Sequence, residues 1–73
     1  MRITFTKAAA EWDEWTCDQA ASVTIDHHRT GQGADRFVVR HVGLHIATTR
    51  TLRGAMQSAR HIAREEVEEA ARR

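Results

Sequence analysis

Cysteine is nearly absent from this 73-residue chain: Cys17 stands alone. A single thiol cannot close an internal disulfide, and no Cys/His array of zinc-finger type is present. Long apolar runs are missing as well. No stretch approaches the about 18 consecutive apolar residues that a membrane-spanning helix needs. Large apolar side chains are scarce. Hydrophobic residues make up 41% of the chain, but twelve of them are Ala, which leaves five Val, four Ile, two Leu, two Met, two Phe, two Trp and the one Cys. A domain this small is marginal unless something staples it. The staples left to it are a long packed helix, a dimer interface or a partner. Together these absences argue against a multi-domain enzyme, a secreted disulfide scaffold and a membrane span, and they bound the chain to a single domain over 1–73.

What the chain has is charge, and it is segregated. The net charge is +1, yet residues 1–26 carry −3, residues 27–64 carry +6 and residues 65–73 carry −2. All five His (27, 28, 41, 45 and 61) also lie in the basic middle. Such segregation bears on partners more than the total does. Two readings stand side by side. In one, the acidic ends fold back and neutralise the middle; in the other, a basic face remains open. Ten of the eleven basic residues are Arg, whose planar fork suits phosphate and carboxylate. The first residues do not read as a secretory signal, because Ile3 and Phe5 are followed by no apolar run and acids intervene from Glu11. With a lone cysteine, the expected compartment is the cytoplasm.

The pattern along the chain predicts an α+β fold. Residues 2–6 alternate around Ile3 and Phe5, which predicts a short strand. Ala8, Trp12 and Trp15 fall at helical spacing, so a short N-terminal helix over 7–16 is expected, with a loop as the competing reading. Residues 20–28 alternate again, with Ala21, Val23, Ile25 and His27 on one side. A Gly-containing loop follows over 29–35. Residues 36–48 read as a hairpin turning at Val42-Gly43, with His41 opposite Leu44, Arg40 opposite His45 and Val39 opposite Ile46. That register puts Ile46 inside and Ala47 outside. Val is poor chemistry for such a turn, which leaves a one-residue shift open. The clearest element runs over 51–72. Leu52, Ala55, Met56, Ala59, Ile62, Ala63, Val67 and Ala70 form an apolar stripe, Thr51 is a natural N-cap, and pairs Arg64–Glu68, Glu68–Arg72 and Glu69–Arg73 would support the exposed side. The expected architecture is a two-layer sandwich, an antiparallel sheet of three or four strands covered on one face by the long C-terminal helix.

Three surfaces are candidates for function. Arg53, Gln57, Arg60 and Arg64 recur on one helix face, with Arg50 just before the cap, where free N–H groups and the dipole favour an anion. Gly54 in the first turn indicates a close backbone approach, by a phosphate or by the neighbouring strand. The outer sheet face would carry Thr4, Thr24, Asp26, His28, Val38, Arg40, His45 and Ala47, without the aromatics of a single-strand stacking platform. The pair Trp12 and Trp15 serves either as core or as an interface anchor in acidic surroundings. The histidines gain no clear third ligand, so no metal site is expected. Asp26 and His27 are neighbours on a strand and point apart; no nucleophile elbow, phosphate-cradling glycine loop or spaced carboxylate pair is present. No enzymatic activity and no cofactor are therefore expected.

The pattern Phe37-Val-Val, Gly43 and Thr51-Leu-x-x-Ala55, followed by Ala59 and Ala63, resembles HicB-type antitoxin domains. That resemblance implies a partner-binding protein that occludes a toxin, although Gly54 stands where an acidic residue is usual and no DNA-binding tail follows. The order short helix, three strands, helix also resembles a double-stranded-RNA-binding domain. There Arg50, Arg53 and Arg60 would grip phosphates, while the Lys-Lys-x-x-x-Lys signature is missing. The leading expectation is a small non-enzymatic module that contacts nucleic-acid phosphates through Arg50, Arg53, Gln57, Arg60 and Arg64. The alternative is a protein-binding inhibitor or antitoxin-like module acting through the sheet face with Arg40 and His45, through the patch of Trp12 and Trp15, or through a homodimer.

Overall fold

A computed structural model of the chain describes residues 2–8, 13–29 and 35–73. Five strands, β1 (Phe5–Lys7), β2 (Glu14–Cys17), β3 (Val23–Arg29), β4 (Asp35–His41) and β5 (Leu44–Thr49), precede one helix, α1 (Leu52–Ala71). The strands form a single antiparallel sheet in chain order, and α1 packs across β3, β4 and β5. The α+β sandwich is as expected, with five strands in place of three or four.

The fifth strand comes from the segment expected to be a short helix. Lys7 and residues 14–16 are strand, while 9–12, with Trp12, lie outside the described residues. The helical spacing of Ala8, Trp12 and Trp15 masked a period of two. Trp15 and Cys17 face the core and Glu14 and Thr16 face away. Pairing of Trp15 with Lys7 on one side and Ile25 on the other decides the matter, because about ten residues cannot hold a helix without a partner for it.

Two rows cross the whole sheet. Lys7, Trp15, Ile25, Val39 and Ala47 are successive neighbours on the helix side, and Thr6, Thr16, Thr24, Arg40 and His45 are successive neighbours on the outer side. The core beneath the helix is small and tight. Val23, Ile25 and Val39 have no exposed surface, and neither do the three alanines Ala55, Ala59 and Ala63 that meet them from α1. Alanine at the three fully buried helix positions lets the helix lie close to the pleat. Ile3, Cys17, Ala20 and Phe37 complete the buried set, with Phe5, Trp15, Leu52, Met56 and Ile62 packed around it.

The β4–β5 turn falls at Val42-Gly43 with both residues at positive φ, 54° and 77°. This is the geometry of a two-residue type I′ hairpin, whose twist matches the strands. His41 opposes Leu44 and Arg40 opposes His45 as expected, but Val39 opposes Ala47. Ile46 is the extra residue of a β-bulge, which reverses the expected faces: Ala47 enters the core side and Thr48 takes the outer side. The bulge leaves Ile46 half-exposed beside the helix.

Thr51 caps α1, its Oγ1 accepting from the Gly54 amide at 3.1 Å. Beyond Ala63 the stripe loses its sheet. Glu66 makes the last anchor, accepting from Ser22 Oγ at 2.6 Å and meeting His41 Nε2 at 3.2 Å, and residues 68–73 are exposed. No helix among the described residues is long and apolar enough to cross a membrane.

Candidate functional site

Helix geometry collects the arginines. At 100° per residue, Arg53, Gln57, Arg60 and Arg64 fall within an arc of about 60° and span about 16 Å of axis. All four are exposed, on the side away from the buried alanines. None of Arg53, Arg60 and Arg64 makes an ion pair among the described residues. Arg60 reaches toward β1, its guanidinium carbon 6.0 Å from the Phe5 ring centre, at the outer limit of a cation–π contact. Arg50 is exposed just before the cap. It lines a shallow depression of about 230 Å³ with Arg36, Thr48 and Thr49. Arg36 was not singled out from the sequence. The β4–β5 register brings it there, and the only advance sign was its place in the basic middle of the chain.

Most acids that could have neutralised this face are engaged elsewhere, while Glu68, one turn beyond Arg64, makes no ion pair among the described residues. Asp13 lies within ion-pair distance of Lys7 (3.7 Å), Arg29 (3.3 Å) and His27 Nδ1 (3.7 Å). Asp26 accepts from Arg40 Nε at 2.9 Å. Asp18 accepts from the hydroxyls of Thr4 and Thr6, both at 2.6 Å, and the Thr4 bond, followed by that of Thr6, holds its carboxyl below the ordinary value. On α1, Glu65 meets His61, Glu66 is turned to the sheet and Glu69 meets Arg73. Of the three expected helix pairs only Glu69–Arg73 forms; Arg64–Glu68 and Glu68–Arg72 do not. The acidic N-terminal third therefore neutralises Arg29 and Arg40 and leaves the helix arginines alone.

Gly54 has a local explanation. A Cβ there would stand 3.1 Å from Thr51 Oγ1 and 3.5 Å from Thr49 Cβ. The end of β5 and the capping hydroxyl are what approach the backbone, in keeping with the neighbouring-strand reading.

The described residues of the alternative surfaces lie on opposite faces of the sheet, and Trp12 lies outside the described residues. Trp15 is half-buried on the helix side, 6.3 Å from the Phe37 ring with Lys7 over it at 5.5 Å. Arg40 and His45 lie on the outer face, where Arg40 is held by Asp26 and His45 Nε2 lies 2.7 Å from Thr48 Oγ1. Ala47, expected on that face, is on the other.

The histidines divide as their strand positions predict. His27 stacks on Phe37 at 4.3 Å and sits between Asp13 and Asp35. Its Nε2 is 3.3 Å from Asp35 Oδ1, but the angle makes no hydrogen bond. Asp26 points to the opposite face. Among the described residues no three metal-ligating side chains gather.

An open depression of about 650 Å³ continues from the arginine face down the β5 flank of the helix. Gln57, Arg60, His61 and Arg64 line it together with Ser58, Ile62, Ile46 and Ala47. This joins the basic face to the bulged edge strand.

No protein family, no curated protein and no solved structure matches this chain.

Proposed function

We propose that this chain is a small non-enzymatic binding module that contacts the phosphate backbone of nucleic acid through the arginine face of α1. The observation that carries the reading is that Arg53, Arg60 and Arg64 share one exposed helix face, with no acid of the described residues paired to any of them. Guanidinium groups that are already solvated and unpaired can exchange counterions for phosphates without breaking an internal bond. Gln57 lies among them as a neutral donor and acceptor, and Arg50 with Arg36 extends the positive surface past the helix start. The outer sheet face offers less, because Arg40 in its central row is held by Asp26, and Arg36, which makes no ion pair among the described residues, lies at the end of β4 beside Arg50.

Salt dependence tests the reading. Four arginine–phosphate contacts on duplex DNA give a log–log slope of about −3.6, which is about a 150-fold loss of affinity between 50 and 200 mM salt. Fluorescence anisotropy with duplex DNA, duplex RNA and single strands measures it. The variant Arg53→Glu/Arg60→Glu should lower affinity and bring the slope to about −1.8. Absence of binding to every one of these at the low-salt end would refute the reading, and so would a slope that the double variant leaves unchanged.

A further inference from the structure

The large apolar side chains most exposed among the described residues lie together at one edge of the sheet. Val42 is 69% exposed, Leu44 68% and Ile46 50%. All three belong to the β4–β5 hairpin, and β5 is last in the sheet order, so one side of its backbone faces no strand. Exposed strand edges are usually blunted by lysine, proline or an inward charge. The sequence of β5, Leu-His-Ile-Ala-Thr-Thr, has none of these. Its bulge is the one device present, and it turns Ile46 toward Ile62 of α1. Two depressions, of about 650 and about 260 Å³, meet at Ile46 and Ile62. The edge thus offers both a projecting apolar row and hollows beside it, which is the form of a self-complementary surface.

We infer that this edge docks a second copy of the chain, β5 against β5 and α1 against α1, related by a two-fold axis with both elements antiparallel. Charge along the helix favours that occupant. Between Leu52 and Arg64 the helix carries Arg53, Arg60 and Arg64 and no acid; from Glu65 to Ala71 it carries Glu65, Glu66, Glu68 and Glu69 and no base. An antiparallel copy sets each basic half beside the partner's acidic half, whereas a parallel one sets like against like. Covering Leu44 and Ile46 also extends a core that, within one chain, consists largely of alanine and valine.

The dimer does not rest on the phosphate reading, with which it competes for Arg53, Arg60 and Arg64, and its test uses no nucleic acid. Light scattering and sedimentation are run on the full chain from low micromolar to several hundred micromolar. The wild type should approach twice the chain mass, and Leu44→Lys/Ile46→Lys should stay at the monomer mass with an unchanged far-ultraviolet spectrum, since both side chains are exposed in the monomer. A wild type that remains monomeric throughout overturns the proposal, as does a folded double variant that still dimerises. If the variant fails to fold, isotope-filtered NOE spectra of mixed-labelled wild type decide. Contacts between protomers among the Leu44, Ile46 and Ile62 methyls support the dimer, and their absence overturns it.

Discussion

Among the described residues Val42 is the one non-glycine at positive φ, and replacing it should make the protein more stable. Its φ of 54° is in the left-handed region, where a β-branched side chain crowds its own backbone. That conformation costs an L-residue about 1–2 kcal/mol. Asparagine visits it readily, and Asn-Gly is the preferred pair for a two-residue turn of this type. Little is lost in exchange: the Val42 side chain is mostly exposed, and its amide, which donates to the Ser22 carbonyl at 2.9 Å, is retained in any non-proline variant. Val42→Asn should therefore gain about 1 kcal/mol, which for a domain of this size raises Tm by about 4–8 °C. Thermal unfolding followed by far-ultraviolet circular dichroism, with the guanidinium midpoint as a second measure, reads the effect. Both proteins are compared at one concentration at which each is monomeric, because association shifts Tm by mass action. A variant that melts at or below the wild-type temperature under those conditions would refute the reasoning. The strain would then be absent, or the valine methyls would be contributing burial that the isolated chain does not show.

Two further outcomes follow from the core and from the carboxylates. Ala59 is fully enclosed between Ala55 and Ala63 beneath the helix, so Ala59→Leu forces α1 off the sheet; it should cost about 1–3 kcal/mol by guanidinium denaturation, and an unchanged midpoint would show that the helix does not lie close. Asp18 accepts from Thr4 and Thr6 and its folded pKa is lowered, so its contribution is complete above the ordinary 3.8 and is lost as pH falls through the lower folded value. Carboxyl NMR should place its midpoint below 3.8, and the stability difference between wild type and Asp18→Asn should vanish at the acid end; a midpoint at or above 3.8 contradicts this.

How far the sequence could be read depended on how local the governing interaction was. The stripe from Leu52 to Ala63, the Thr51 cap, the alternation around Val23 and Ile25 and the turn at Val42-Gly43 are properties of residues within a few positions of one another. Each was recoverable from periodicity or from a single side chain. The clustering of Arg53, Gln57, Arg60 and Arg64 was legible for the same reason, since the helix repeat alone places them on one face. Contacts between distant segments were not legible. Residues 14–17 became a strand because Ile25 and Lys7 pair with Trp15. A bulge, which no local pattern announces, moved Ala47 inward and Ile46 to the rim. Above all, residue order could not tell an open basic face from a neutralised one. That depended on which arginines the acids could reach: Asp13 lies beside Lys7, His27 and Arg29, Asp26 meets Arg40 on the face away from the helix, and Glu66 is drawn down to Ser22 and His41. Charge pairing follows distance in space, and only folding sets that distance.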